Sequence, residues 1–272
     1  MIRPINGIIA FISVILGALI SNGSLDPYDK VMIVGFAAFL LLSAGNVLND
    51  FYDVKTDTIN KPLRPIPSGK ISKKSALVFS IFLFIVGISL GLLVSLFAFA
   101  IAVLVSLILV FYTFKLRENP LIANVSIGTL TGLTFISGGL AVEKIKGSII
   151  PAIFALLFTT GREIVKDIQD VKGDKESGLN SIAIKLGEKK AVYISIVFFT
   201  LLILASPIPY FIGIYSIYYL ICVLLGVDLI LIYCAFSLLR LPSSENAGKV
   251  ASLMKLDIFI GLGAIYLGRI SL

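Results

Sequence analysis

Nine apolar segments of about 20 residues each constrain this chain more than any other feature of its sequence. A helix needs about 20 mostly apolar residues to cross the hydrocarbon core of a bilayer. The segments are residues 5–21, 30–49, 75–94, 97–115, 121–142, 148–166, 190–209, 214–239 and 250–269. Only 14% of the 272 residues are charged, whereas a soluble domain has about 25%. The sequence therefore predicts an all-α, polytopic membrane protein with about nine transmembrane helices.

The distribution of lysine and arginine predicts the orientation of these helices. With the N-terminus inside, 18 of the 23 cations fall in the inner segments and four in the outer ones. Cytoplasmic loops are enriched in Lys and Arg. We therefore expect a cell-membrane protein whose N-terminus and two long loops, near 50–74 and 167–189, are cytoplasmic. The net charge of +7 is then a topology signal, and it gives little support to nucleic-acid binding.

Two acidic clusters with identical spacing lie where the long loops leave the second and sixth spans. Their members are Asp50, Asp53 and Asp57 in the first, and Asp167, Asp170 and Asp174 in the second. One turn earlier, Asn46 and Glu163 extend the two patterns, which superpose with a constant offset of 117 residues. Positions i, i+3 and i+7 share one helical face, where three like charges repel one another unless a cation binds them. Because carboxylates together with substrate phosphates are the usual ligands of Mg²⁺, we predict that all six acids are metal ligands.

The offset between the clusters covers four spans. It predicts a duplicated four-helix unit, spans 1–4 and 5–8, with the ninth span appended, in a single transmembrane domain over residues 1–272. Wrapping the two halves round a common axis would face the clusters across a central cavity that holds a metal-bridged diphosphate. Zinc and haem lack their usual donors, since the chain has no His and only two widely spaced cysteines.

Cations close to the clusters are candidates for binding a diphosphate. Pro62, Pro65 and Pro67 exclude a continuous helix over 61–72 and stiffen this loop, which can hold Lys61 and Arg64 above the first cluster. The guanidinium fork of Arg64 suits phosphate oxygens.

Four further polar side chains lie near the inner ends of the fourth and sixth spans. Lys115 could bind diphosphate or simply extend to the interface, and Tyr112 could stabilise an allylic cation or belong to the aromatic belt. Arg162 and Lys166 are one turn apart in an apolar helix, so they need anionic partners. The neighbouring carboxylates or a phosphate would provide them.

Residues 46–69, NVLNDFYDVKTDTINKPLRPIPSG, resemble the first aspartate-rich motif of UbiA-type intramembrane prenyltransferases. The motif, N-D-x-x-D-x-x-x-D followed by a basic residue and R-P, is matched at Asn49, Asp50, Asp53, Asp57, Lys61, Arg64 and Pro65. The second motif of the family, D-x-x-D-x-x-x-D, is matched by the second cluster. The residues RPIN at 3–6 resemble the start of the family's first helix, which implies that Asn6 faces the cavity. Position 61 is Lys where many members have Arg. This difference keeps the positive charge but is expected to weaken the binding of diphosphate.

The resemblance implies Mg²⁺-dependent transfer of an isoprenyl group from its diphosphate to a hydrophobic acceptor. Residues 162–174, REIVKDIQDVKGD, are most similar to an archaeal branch that makes membrane lipids. In that branch the donor is geranylgeranyl diphosphate and the acceptor is the hydroxyl of geranylgeranylglyceryl phosphate. The implied substrate-binding residues are Asn6, Asn46, Asn49, Lys61, Arg64, Lys115, Arg162 and Lys166. The implied catalytic residues are Asp50, Asp53, Asp167, Asp170 and Tyr112.

Two other functions remain open from the sequence. The acceptor could be an aromatic quinone precursor, or the protein could be a cation-coupled transporter. Transporters keep their coupling acids near the bilayer midplane, where only Asp228 and Asp257 lie in this sequence. A structural pairing of these two acids between the last two spans is the simpler interpretation. A non-catalytic scaffold would leave the matched clusters unexplained.

Overall fold

The computed structural model describes residues 1–114, 119–176, 178 and 180–270. Within these ranges, nine helical segments are long and apolar enough to cross a membrane. They are Pro4–Asn22, Tyr28–Tyr52, Lys73–Val94, Leu96–Phe114, Pro120–Ala141, Lys146–Gln169, Glu188–Phe211, Ile217–Arg240 and Ser244–Arg269. The predicted all-α architecture and its nine spans are confirmed, with boundaries that differ by a few residues. The predicted wrapping round a central cavity stays a prediction.

The chain divides into two compact units. The first comprises Met1–Glu118 and Leu133–Ile149, and the second comprises Asn119–Gly132 and Ile150–Leu272. The helices of the first unit are α1 (Pro4–Asn22), α2 (Tyr28–Tyr52), α3 (Val54–Asn60), α4 (Lys73–Val94), α5 (Leu96–Phe114) and the second half of α6 (Pro120–Ala141). The second unit contains the first half of α6, most of α7 (Lys146–Gln169), α8 (Val171–Glu176), α9 (Ile182–Leu186), α10 (Glu188–Ala205), α11 (Ile208–Phe211), α12 (Ile217–Cys222), α13 (Leu229–Arg240) and α14 (Ser244–Ile270). A π-helical turn, Val223–Asp228, joins α12 to α13.

Local sequence signals explain where several helices of the first unit begin and end. Pro4 opens α1, where its missing N–H costs no hydrogen bond, and Gly23 closes it in a left-handed conformation with φ of 80°. The Ser72 hydroxyl caps α4 by accepting a hydrogen bond of 3.0 Å from the Ser75 N–H. Ser95 has extended backbone and separates α4 from α5, at the predicted division between the third and fourth spans.

Glycine positions allow close helix packing inside the first unit. A Cβ atom added at Gly138 of α6 would lie 1.9 Å from the carbonyl oxygen of Val14 on α1. Only a glycine permits this approach of two backbones, as is common at helix interfaces in membranes. Helix α2 carries Asp50, the first acid of the first cluster, near its end and packs against α1, α4 and α5.

The second unit buries two acids between neighbouring helices. Helix α14 packs against α12, the π-helical turn and α13. Asp228, at the end of the π-helical turn, is 3% exposed, and Asp257 of α14 is fully buried. The Ser206 hydroxyl donates a hydrogen bond of 2.8 Å to Asp228. Both acids lie near the middle of their spans, so they belong to the interior of this helix pair and not to the acidic clusters.

Candidate active site

Both acidic clusters lie at a junction between a membrane-spanning helix and a short helix. Helices α2 and α3 meet at Asp53, and α7 and α8 meet at Asp170. The two junctions are 117 residues apart, so the sequence repeat is also a repeat of local structure. The prediction that the three acids of each set share one helical face stays a prediction. A change of helix falls within each cluster.

Backbone hydrogen bonds carry the chain through each junction. In the first, the Asp53 N–H donates to the Asn49 carbonyl (2.8 Å) and the Asp57 N–H to the Asp53 carbonyl (2.7 Å). In the second, the Asp170 N–H donates to the Lys166 carbonyl (2.9 Å) and the Asp174 N–H to the Asp170 carbonyl (3.0 Å). Because the i→i−4 bonding continues, the spacing of the acids is held although the helix is interrupted.

Arg64 neutralises two acids of the first cluster. Its Nη1 atom lies 3.1 Å from Asp50 Oδ1 and 2.5 Å from Asp57 Oδ2. Arg3 contributes a longer contact of 3.4 Å to Asp50 Oδ1, and the amino group of Met1 lies 2.9 Å from Asp50 Oδ2. Burial raises the pKa of Asp57, and the guanidinium of Arg64 opposes this rise. The first cluster therefore gathers cations around two acids that are almost fully buried.

The proline-containing loop places Arg64 where the sequence predicted it, against the first cluster. Lys61 differs from Arg64, because its side chain is exposed while its backbone N–H donates to the Asp57 carbonyl at 2.8 Å. Asn6 is exposed near the start of α1. The binding roles predicted for these three residues stay predictions.

The other residues predicted near the first cluster have different surroundings. Asn46 is buried on α2, and its Nδ2 atom has no hydrogen-bond partner among the described residues. Asn49 is half-buried and pairs with Thr113 of α5, whose Oγ1 atom lies 2.7 Å from Asn49 Oδ1. Tyr112, next along α5, is half-buried. Lys115 lies outside the described residues.

In the second cluster, Asp167 is held by two hydrogen-bond donors. Its Oδ2 atom accepts from Asn124 Nδ2 of α6 at 2.9 Å and from the Ile182 N–H of α9 at 3.2 Å. Ser181 caps α9 and so fixes the position of this N–H. One oxygen of Asp167 is thereby oriented by two elements that are distant in sequence.

Arg162 and Lys166 both contact Glu163 on the same helix. Lys166 Nζ lies 2.6 Å and 2.9 Å from the two carboxylate oxygens of Glu163, and Arg162 Nη1 lies 3.4 Å from Oε1. The expectation that these cations need an anionic partner agrees with this geometry. The partner is Glu163, one turn before the second cluster.

Sequence reasoning did not assign a site role to Arg3, Asn124 or Glu163. The contacts of Arg3 and Asn124 join residues 47 and 43 positions apart, so no local spacing reveals them. A weaker signal was available for Asn124, an amide near the start of a predicted apolar helix. Glu163 extends the repeated pattern, but its ion pairs follow only from the side-chain geometry.

The acids present fit a magnesium ion that arrives with a phosphorylated substrate. Over the described residues, no three His, Cys, Asp or Glu side chains converge closely enough to hold a metal ion. Magnesium is usually bound by one or two carboxylates together with water and substrate phosphate oxygens, which does not require such a cage. The position of Arg64 between Asp50 and Asp57 shows that a cation is attracted there.

The fold and the paired aspartate junctions define a multi-pass membrane protein of the UbiA prenyltransferase type. The chain belongs to the UbiA prenyltransferase family, because the model of that family matches residues 10–259. The chain is 36% identical to digeranylgeranylglyceryl phosphate synthase of Methanosphaera stadtmanae, over 99% of this chain and 98% of that protein. It is 42% identical to the synthase of the same name from Methanocaldococcus jannaschii, over 100% of this chain and 95% of that protein.

Solved structures share the fold. A structure of digeranylgeranylglyceryl phosphate synthase superposes with a TM-score of 0.82 at 40% identity, covering 100% of this chain and 96% of the other. A UbiA homologue from Archaeoglobus fulgidus bound to GPP and Mg²⁺ gives a TM-score of 0.71 at 15% identity, covering 97% of this chain and 98% of the other. The second likeness shows the fold alone.

Proposed function

We propose that this protein transfers a geranylgeranyl group from geranylgeranyl diphosphate to the hydroxyl of geranylgeranylglyceryl phosphate, in archaeal membrane lipid synthesis. The observation that carries this proposal is the similarity, over the full chain, to synthases of that name. The repeated aspartate junctions and the adjacent arginine supply the chemistry that such a reaction needs. Membership of a prenyltransferase family favours this enzyme over a transporter or a scaffold.

The six acids of the two clusters would hold Mg²⁺ together with the donor diphosphate. A UbiA homologue of the same fold has been solved with bound GPP and Mg²⁺, which is in keeping with a metal and a prenyl diphosphate as ligands of this fold. When bound, the metal would withdraw charge from the diphosphate as the allylic C–O bond breaks. Arg64 can turn its guanidinium fork from the acids to the diphosphate oxygens, and we assign the same kind of contact to Lys61 and Lys115.

The remaining steps concern the allylic carbon and the acceptor. The ring face of Tyr112 can stabilise positive charge on the allylic carbon, since an aromatic quadrupole attracts cations. The acceptor hydroxyl then forms the new C–O bond and loses its proton. The apolar surroundings limit capture of the carbocation by water. We infer that both compact units serve this one reaction as a single domain, with their clusters on the cytoplasmic side of the cell membrane.

Incubation with two classes of acceptor tests the proposed function. The purified protein, in detergent or lipid, receives geranylgeranyl diphosphate, Mg²⁺ and either geranylgeranylglyceryl phosphate or a panel of aromatic quinone precursors. We expect a diether phosphate, identified by mass, that is not formed when the metal is chelated. Formation of a prenylated aromatic compound instead would contradict the acceptor assignment. Absence of any product from folded protein would contradict the enzyme assignment.

Asn124 provides a separate test of the second cluster. In Asn124→Leu, Asp167 loses its side-chain hydrogen bond and keeps only the backbone donor of Ile182. Loss of a residue that orients a metal ligand typically weakens metal affinity about 10- to 100-fold. We therefore expect the Mg²⁺ concentration for half-maximal activity to rise by that factor, with activity recovering at high Mg²⁺. A loss of activity that no Mg²⁺ concentration restores would contradict this role.

A further inference from the structure

Helix α7 has a cationic stripe, formed by Arg162 and Lys166, beside an acidic stripe formed by Glu163 and Asp167. Arg162 and Lys166 are four residues apart, so they share one side of the helix. Glu163 and Asp167, also four apart, lie on the adjacent side, because successive residues are about 100° apart round the axis. A cationic stripe therefore runs beside the acidic stripe that leads into the second cluster.

Neutralising the second cluster does not account for Arg162, although Lys166 interacts electrostatically with Asp167. Asp167 already accepts hydrogen bonds from Asn124 and from the Ile182 N–H. The side-chain contacts found for Arg162 and Lys166 go to Glu163. The two cations thus balance the charges of Glu163 and Asp167, and any remaining demand must come from the hydrogen-bond donors of the cations.

Arg162 also has a donor that lacks an acceptor. Its Nε atom is buried and has no hydrogen-bond partner among the described residues. The side chains of Arg162 and Lys166 are 19% and 35% exposed, so Arg162 is the more buried and Lys166 is partly open to solvent or ligand. A buried donor without an acceptor is costly, and an anion bound beside Arg162 would remove that cost.

The phosphate of the acceptor would supply what Arg162 lacks, an anionic hydrogen-bond acceptor beside Nε. A phosphate monoester carries a charge of about −1.5 to −2 at neutral pH and has three strong acceptor oxygens. In geranylgeranylglyceryl phosphate the phosphate and the reacting hydroxyl are on neighbouring carbon atoms of the glycerol. A phosphate subsite must therefore adjoin the site that holds the donor diphosphate, and the cationic stripe adjoins the second cluster on the same helix.

We propose that Arg162 and Lys166 form the subsite that binds the phosphate group of the lipid acceptor. This assignment rests on the proposed function and narrows it, since it makes the phosphate a feature that the protein recognises. It separates two anion sites by their chemistry: the acidic clusters take the diphosphate together with a metal, whereas the cationic stripe takes the acceptor phosphate directly. Binding of the acceptor phosphate is thus independent of the metal.

Binding of two acceptors to metal-free protein tests the subsite. The probes are geranylgeranylglyceryl phosphate and geranylgeranylglycerol, which differ only in the phosphate, measured in the presence of chelator and without donor. We expect the wild-type protein to prefer the phosphorylated probe. In Arg162→Gln and Lys166→Gln the affinity for that probe should fall about 10- to 100-fold, the usual effect of losing a charged hydrogen bond. The affinity for geranylgeranylglycerol should stay the same.

Two further variants separate a binding role from a structural one. Lys249→Gln removes one cation from an exposed ion pair with Glu245 and should leave the preference for phosphate intact. Lys166→Arg keeps the charge and should retain most of the preference. If Arg162→Gln does not fold, Lys166→Gln carries the test, because its side chain is the more exposed of the two.

The outcomes distinguish this inference from the proposed function. The subsite would be overturned if the variants keep the preference for the phosphorylated probe, or if their affinities for both probes fall equally. Either result would leave the proposed reaction in place. A wild-type protein that binds neither probe, or that prenylates only aromatic acceptors, would overturn the proposed function itself.

Discussion

Replacing Asp53 or Asp170 by asparagine is expected to lower Mg²⁺-dependent prenyl transfer about a thousandfold. Each of these acids is the junction residue of its cluster, and asparagine keeps its size while removing its charge. Each carboxylate is assigned to the metal that binds the donor diphosphate, and a loss of roughly 4 kcal/mol of transition-state stabilisation corresponds to a factor of about a thousand in rate. Product formation followed by mass, at saturating donor and acceptor, measures the effect.

Matched substitutions elsewhere in the chain control for the loss of charge. Asp29→Asn removes an exposed acid from the first turn of α2, the same helix that ends at Asp53. Glu245→Gln removes an acid that is 82% exposed at the start of α14. Both should retain activity. If one junction variant is inactive and the other keeps near-normal activity, the two clusters do not serve one reaction, and the metal assignment must be confined to the sensitive cluster.

Arg64→Gln is expected to raise the KM for geranylgeranyl diphosphate about 100-fold. Charge-assisted bidentate contacts to phosphate are among the strongest hydrogen bonds in proteins, at roughly 1.5–3 kcal/mol each. The KM for the acceptor should change much less, because the acceptor phosphate is assigned to other cations. Initial rates, measured with each substrate varied in turn, separate the two effects.

Two comparisons make the interpretation of Arg64→Gln specific. Arg240→Gln removes an exposed arginine from the end of α13 and should leave both KM values unchanged. The thermal unfolding temperature of Arg64→Gln reports the loss of its ion pairs with Asp50 and Asp57. An equal rise of both KM values in a stable variant would show that Arg64 is not specific for the donor.

The architecture could be predicted from the sequence because each span is a long apolar segment. In a bilayer such a segment must form a helix to satisfy the hydrogen bonds of its backbone. The extended residue Ser95 marks a division that hydropathy only weakly indicates. The positions of the acids were equally readable, since a spacing of i, i+3 and i+7 repeats at a fixed offset. The helix junctions at Asp53 and Asp170 could not be predicted, because the spacing of the acids fits both a continuous and an interrupted helix.

Tertiary contacts set the limit of sequence reasoning at the site. The hydrogen bond between Asn124 and Asp167 joins two helices, and nothing in either segment specifies its partner. Helix α9 was also missed, since it is only five residues long and lies in a segment predicted to be a loop. The π-helical turn at Val223–Asp228 has no periodic signature of its own in an apolar segment, so it was included in one regular span.

The buried acids of the last two spans bear on how the protein enters the membrane during synthesis. An acid at the centre of a lone transmembrane helix costs about 2.5–3.5 kcal/mol, and Asp228 and Asp257 each lie near mid-span. Only residues 241–243 connect the two spans, so α13 emerges from the ribosome with α14 directly behind it. Insertion of the two spans as one hairpin shields both acids together. A chain that stopped after Arg240 would keep the hydrogen bond from Ser206 to Asp228 but lose α14, which packs against the π-helical turn, and it would be poorly retained in the bilayer.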